Sequence, residues 1–420
     1  MNPLVLSLLA GLSCSVALAQ EAAPQDAAQP LQPLIDATPE GGVLAPPPGV
    51  YSGPARIEKP MTLDGGGKLV LDGQGRDTIL SLKGSHIVVQ GLRLRGSGHR
   101  HENLDACLRL EQARSNVVKD NDFSGCLVGI DLRHADQNII RRNRITGSDP
   151  QFDMRGDGLR VWNSNDNVIE GNVITDHRDV LVEYSTRNVL RGNRVVRGRY
   201  GTHFMYASGN TAEGNDYSYN TVGLFSMYSN QLKLIGNRIS LSNGAAGMGI
   251  GLKEASGVLV ENNVVLNNAI GLYNDDSPFD PDDTNVYRGN TFAFNGIGVQ
   301  FHRNQESNVF VGNDFTGNFT DVSARGGNGV TNAEWDGNYW DAYQGFDRKS
   351  AGIGETPFEI YAYADKIWSD APMTSFFRGS PALESIDFLS RLAPFSKPQL
   401  VLRDRRPATR PFHADQSTGG

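Results

Sequence analysis

The chain is short of several things that would point to common functions. It has no long basic run; its net charge is −8 and its pI about 5.5, so nucleic acid and anionic membrane surfaces are poor partners. Beyond the first 19 residues no stretch approaches the roughly 18 apolar residues that a membrane span requires. A phosphate-binding loop, a Ser-His-Asp order and zinc-finger spacing are all absent. Helical periodicity is almost missing. Cysteine is scarce too: there are three, and only Cys107 and Cys126 remain once an N-terminal export segment is removed. In an oxidising compartment such a pair tends to bridge. Coil alignment sets Cys107 opposite Gly129, however, roughly 10 Å from Cys126 along an extended chain, and leaves the bridge open.

What is abundant is asparagine and glycine at a fixed period. Asn167-Val-Ile-Glu-Gly-Asn172, Asn188-Val-Leu-Arg-Gly-Asn193 and Asn210-Thr-Ala-Glu-Gly-Asn215 repeat one motif, and weaker copies end at Asn121, Asn143, Asn237, Asn263, Asn290, Asn313 and Asn338. A recurring period near 22 means one coil, repeated and stacked. Short alternating apolar runs separated by Gly, Asn and Asp read as strands and corners. Strands one coil apart run parallel, and such crossovers are right-handed. The expected fold is therefore all-β: a right-handed parallel β-helix of roughly a dozen coils, with a small C-terminal extension containing a short helix.

Domain limits follow. Residues 1–19 carry no charge, and Ala17-Leu18-Ala19 before Gln20 has the small-x-small pattern of a signal peptide, so export to the periplasm is expected. Residues 20–34 read as a flexible leader, 35–344 as the solenoid and 345–420 as the extension. In the extension, Ser380-Pro381 resembles a helix start, and Leu383, Ile386, Leu389 and Leu392 share one face. That helix would cap the solenoid or, with Phe388 and Phe395, dock on a partner. The polar tail from Asp404 reads as mobile.

Aligned coils place Leu108/Leu110, Ile130/Leu132, Leu159/Val161, Val180/Val182, Thr202/Phe204, Leu224/Ser226 and Ile250/Leu252 inward. On the outer face, His203 and Met205 lie two residues apart, about 7 Å along one strand, and Met227 falls one coil beyond Met205. Two thioethers and an imidazole suit soft Cu(I) over hard cations; a Met/aromatic patch covered by a partner would give the same pattern. Tyr184, Tyr206 and Tyr228 form a ladder beside them. Asp176-His177-Arg178-Asp179 carries the residue types of acid–base chemistry on uronic-acid sugars, or is a solvated turn. The acidic stretch Asn274 to Asp283 lacks regular calcium spacing, and His99 and His101 lie on a turn.

Gly201-Thr-His-Phe-Met-Tyr206, Gly223-Leu-Phe-Ser-Met-Tyr228, Gly337-Asn-Tyr-Trp-Asp-Ala-Tyr343 and Gly352-Ile-Gly-Glu-Thr-Pro357 together resemble the NosD family. Its members are periplasmic β-helix proteins of the nitrous oxide reductase maturation machinery. The resemblance implies a non-enzymatic, copper-handling role. The implied partners are an ABC transporter permease with its ATPase, a copper chaperone lipoprotein and nitrous oxide reductase. The family's Met-Tyr coils fall on Met205-Tyr206 and Met227-Tyr228; the second coil has Phe225 where the first has His203. The competing reading is a carbohydrate-active β-helix enzyme of the uronan lyase or epimerase type.

Overall fold

A computed structural model describes residues 28–147, 154–303, 307–324, 333–362 and 399–413. The fold is a parallel β-solenoid with almost no helix. From the coil of Val128–Arg133 to that of Ile297–Phe301, each coil contributes one strand to a wide face and two three- or four-residue strands to the other faces. The wide face is a 12-stranded parallel sheet running from Ala55–Ile57 to Thr320–Ala324. Its middle members are Asp179–Glu183, Tyr200–Met205, Val222–Met227 and Met248–Lys253. Every inward pair expected from the sequence is buried. The two polar members find partners inside: the Thr202 hydroxyl lies 3.0 Å from that of Tyr217, and the Ser226 hydroxyl donates to the Ser229 carbonyl at 3.4 Å.

The Gly-Asn motif divides its labour between two residues. The residue before the Asn takes a left-handed backbone, as at Gly192 with φ 59°, where glycine has no steric cost. That turn throws the Asn side chain inward. Asn172 then donates both its backbone N–H and its Nδ2 to Oδ1 of Asn193, each at 3.0 Å. Asn193 repeats this onto Asn215 at 2.9 and 3.0 Å, and its Nδ2 reaches back to the Ile169 carbonyl at 2.9 Å. The row runs without interruption from Asn121 to Asn338. A second row follows Asn116, Asn138, Asn167, Asn188 and Asn210.

Both ends of the solenoid depart from expectation. At the N-terminal end, Gln29–Pro30 pairs with Tyr51–Ser52, and Gln32–Ala37 forms a short helix below a fully buried Leu31. Regular structure thus begins inside the stretch read as a flexible leader, because Leu31 and Ile35 close the open end of the core. At the other end, residues 404–413 are not a loose tail. Asp404 is fully buried and accepts the last links of the Asn row, from Asn338 N and Nδ2 at 2.9 and 3.0 Å, together with Trp340 Nε1 at 3.2 Å. The Phe412 and His413 amides donate to Asp314 at 2.9 Å. Phe358–Ala362 and Gln399–Asp404 form an antiparallel pair beside this cap. The expected helix with Leu383, Ile386, Leu389 and Leu392, like the signal peptide, lies outside the described residues.

Cys107 and Cys126 are disulfide-bonded, with Cα atoms 5.6 Å apart. Register does set Cys107 opposite Gly129, between the pairs Ala106–Val128 and Leu108–Ile130. The bridge is reachable because Cys126 ends a strand on a different face. A register irregularity after Ser124, with Gly125 at φ 62°, swings it round the corner toward Cys107. The straight-chain offset does not apply across a corner.

The Asn row makes a direct prediction. Asn193→Ala removes the acceptor for two Asn172 donors and the donor to Ile169, all buried, and should cost about 3 kcal/mol. Arg187→Ala breaks a largely exposed pair with Asp166 and should cost less than about 1 kcal/mol. Urea unfolding of the two variants is the measurement; equal losses would remove the row from its central place.

Candidate metal centre

Register confirms the stacking on the wide face: Met205 lies beside Met227, and His203 beside Phe225. Both methionines are half-buried. His203 is only 7 % exposed, so it is far less open than an outer-face position suggests. The cause is aromatic cover. The Tyr200 ring lies 4.7 Å from the imidazole and stacks on Phe225 at 5.4 Å; Phe225 itself is 5.7 Å from the imidazole. Arg199 sits 4.7 Å over the outer side of Tyr200 and donates through Nε to Asp179 at 3.0 Å.

Nε2 of His203 is buried without a hydrogen-bond partner. Burial pushes the His203 pKa down to about 4, with nearby Asp179 pulling it up and Arg199 pushing it further down. A neutral imidazole with an orphaned nitrogen, beside two stacked thioethers, has the donor chemistry of a soft-metal site. A hard-metal site is not offered: among the described residues no three of His, Cys, Asp and Glu converge. The residues present therefore fit Cu(I) better than a four-coordinate ion such as Zn²⁺.

The tyrosine ladder stands beside the thioethers. Tyr184, Tyr206 and Tyr228 stack with centroids 5.3 and 4.9 Å apart and nearly parallel rings. Their faces are spent on one another, and Lys253 Nζ sits 5.8 Å from the Tyr228 ring. Tyr184 and Tyr206 nonetheless remain 48 % and 43 % exposed.

The remaining sequence candidates disperse. Asp176, His177 and Asp179 do not share a surface. Asp176 turns out to Arg197 at 2.7 Å. His177 points into the solenoid, fully buried, where Gly198 leaves room for its ring and burial lowers its pKa to about 4. Asp179 is held by Arg199. Asn274 faces inward and hydrogen-bonds Tyr287 and Asn308, while Arg303 pairs with Asp276 at 3.0 Å; among the described residues the carboxylates of this stretch do not converge as a group of metal ligands. His99 and His101 are exposed.

Sequence reading missed a charged ladder toward the N-terminal end of the same face. Asp131, fully buried, meets Arg109 at 3.0 Å, Arg133 at 2.6 Å and Arg160 at 3.6 Å, and Arg160 continues to Glu183 at 3.2 Å. Arg178 holds Asp157 at 3.0 Å, where burial and Asp179 raise the Asp157 pKa to about 6. The outward columns Arg109–Asp131–Arg160 and Arg133–Trp162–Glu183 carried the signal. Alternating opposite charges one coil apart are ion pairs in waiting.

The imidazoles give a pH test. His177 and His203 protonate at about 6.5 in the unfolded chain and about 4 when folded. Each therefore withdraws stability as pH falls from about 6.5 toward 4, and Asp157 and Asp321, raised to about 6 by burial, act in the opposite sense. The clean readout is His203 itself. Its ring resonances should stay flat from pH 7 to 5 and move only near pH 4; a midpoint above 6 would mean the ring is not sealed.

Residues 148–345 match the family model described as "Periplasmic copper-binding protein (NosD)". A "Probable ABC transporter binding protein NosD" from Pseudomonas aeruginosa is 28 % identical over 393 residues, covering 86 % of this chain and 87 % of that protein. A protein of the same description from Stutzerimonas stutzeri is 28 % identical over 117 residues, 27 % of this chain and 26 % of that one. Among solved structures, the A-module of the Azotobacter vinelandii mannuronan C-5 epimerase AlgE6 aligns with TM-score 0.54 and 19 % identity, over 75 % of this chain and 95 % of that one. That likeness establishes a shared β-helix and nothing about chemistry. By these sequence matches the chain is similar to the NosD proteins, the family that its paired Met-Tyr coils and its Gly-Asn-Tyr-Trp ending resemble.

Proposed function

We propose that this protein is an exported, periplasmic copper-handling component that works with an ABC transporter in assembling the copper centres of nitrous oxide reductase. The observation that carries this reading is the stacked Met205–Met227 pair beside the buried, partnerless Nε2 of His203. Support comes also from the descriptions of its relatives as copper-binding and ABC transporter binding proteins. The proposed partners are the transporter permease with its ATPase, a lipoprotein copper chaperone that hands over Cu(I), and the reductase. Copper is cargo in this scheme: two thioethers and one neutral imidazole would hold it without a charged ligand, so the protein could pass it on. No helix among the described residues is long and apolar enough to cross a membrane, so attachment would run through the permease.

The carbohydrate-enzyme reading is weaker. Acid–base work on a sugar needs a carboxylate or imidazole free to meet it. Here Asp131, Asp157 and Asp179 are each clamped by arginines, and His177 faces the core.

Two experiments test the proposal. Met205→Leu with Met227→Leu keeps volume, and such swaps usually cost less than about 1.5 kcal/mol. The double variant should fold normally, while competition with a Cu(I) chelator shows affinity down by about 100-fold, as loss of two soft ligands requires. Unchanged affinity would move copper elsewhere. Separately, N-terminal sequencing of the mature protein should begin at Gln20; a chain beginning at Cys14 would be a lipoprotein and one retaining Met1 would be unprocessed, and either result overturns cleavage before Gln20 to an unlipidated periplasmic protein.

A further inference from the structure

Phe225 occupies a seat that the next coil leaves empty for it. A Cβ on Gly251 would lie 2.4 Å from Cδ2 and 2.6 Å from Cε2 of Phe225, and 3.5 Å from Sδ of Met248. In register terms Gly251 is the coil neighbour of Phe225, as Phe225 is of His203. Any side chain at 251 would drive the ring out of that seat. The missing Cβ lets the ring lie down along the sheet, so that its upper part reaches Tyr200 and its flank reaches the imidazole. Phe225 is left 8 % exposed despite its outward position. Tyr200 is fixed in turn from outside by Arg199, itself held by Asp179. His203 is thus sealed by two rings, one seated against Gly251 and the other packed under the Arg199 guanidinium.

We infer that Phe225, seated against Gly251 and stacked on Tyr200, is the specificity element of the metal centre: it keeps water from the His203 side of the ion. The inference rests on the copper reading above. Its chemistry is simple. Cu(I) is content with few soft ligands and no water. Zn²⁺ takes four ligands and, with three or fewer from protein, completes its shell with water. A dry ring beside the imidazole removes the place where that water would sit, so a three-donor site keeps Cu(I) and refuses Zn²⁺. A histidine at 225, matching the coil before, would instead offer a fourth donor and lose the discrimination. The phenylalanine is therefore a selective feature and not a defect in the repeat.

The test uses the mature full-length protein and the variants Phe225→Ala, Phe225→Leu and Gly251→Ala. Two readouts are needed. One is the Cu(I)-over-Zn²⁺ preference from chelator competitions. The other, needing no metal, is the rate at which diethyl pyrocarbonate modifies His203, followed by peptide mass spectrometry. In the wild type His203 should be nearly inert. Phe225→Ala and Gly251→Ala should raise its rate at least tenfold and lower the Cu(I) preference at least tenfold, chiefly through gained Zn²⁺ binding. Phe225→Leu, which refills most of the volume, stands in if the alanine variant fails to fold and should show the same directions with smaller size. If His203 becomes reactive while the metal preference holds, the specificity role is wrong. If both readouts hold in wild-type values, Phe225 is not a cover at all. A wild type that binds no Cu(I) sinks the copper reading, and this inference with it, whereas Cu(I) binding lost in the double Met variant but indifferent to Phe225 sinks only the latter.

Discussion

The side-chain amide row of Asn121 to Asn338 is the constraint on which the rest of the structure depends. A stacked solenoid must hold its coils in register while its corners turn through non-repetitive backbone. Strand hydrogen bonds do this along the faces, but a corner residue has no strand partner. An inward Asn supplies one, since its Oδ1 accepts from the coil before and its Nδ2 returns a bond to that coil's carbonyl. Buried amides left unpaired would be costly, so the row is either complete or a liability. That is why the last link is closed by a carboxylate, Asp404, reaching back from the C-terminal segment. The row has one direction, donors toward one end and acceptors toward the other, and it needs a pure acceptor where it stops.

Fixing the corners leaves the outer face free to vary. On the wide sheet, stacked positions in the coils bearing Asp131, Arg160 and Glu183 carry opposite charges that pair from coil to coil. From Leu181 onward the same columns turn to His, Phe and Met. The switch coincides with a register irregularity, where Tyr200 to His203 spans one residue more than the Asp179 to Leu181 it faces. The charge pairs hold one another, although Asp131 Oδ1 keeps only a 3.6 Å ion contact with Arg160. An orphaned imidazole alone marks no site either, since both ring nitrogens of His177 lack hydrogen-bond partners inside the core; it is the thioether pair beside His203 that separates a candidate site from a surface that only holds itself together.

Much of this was legible in the sequence for a physical reason: in a solenoid, contact follows period. Knowing the repeat, Met205 could be set beside Met227 and the inward pairs named, and the register bears out both. What the period cannot carry is anything that bends away from the coil. The Cys107–Cys126 bridge runs across a corner, the Asp404 closure comes from outside the repeat, and Leu31 seals the N-terminal end before the first full coil. Side-chain direction is equally hidden. His177 and Asp176 are neighbours in the chain, yet one enters the core and the other turns outward, because Asp176 itself takes a left-handed backbone at the corner.

Burial of His203 shows the same gap at finer scale. Alternation places it on the outer face, which is where its backbone directs it, and nothing in a linear reading says that Tyr200 and Phe225 fold over it. The clue lay in a residue with no side chain. In the outward column His203, Phe225, Gly251, the glycine looks like a pause in the pattern, and in a strand it has a positional meaning when another group needs to approach closely. Here the approaching group is the Phe225 ring. A small residue next to a large one along a stacked column is thus a readable sign that the large one lies flat and covers the neighbour on its other side. In this chain the covered neighbour is the imidazole on which the metal reading depends.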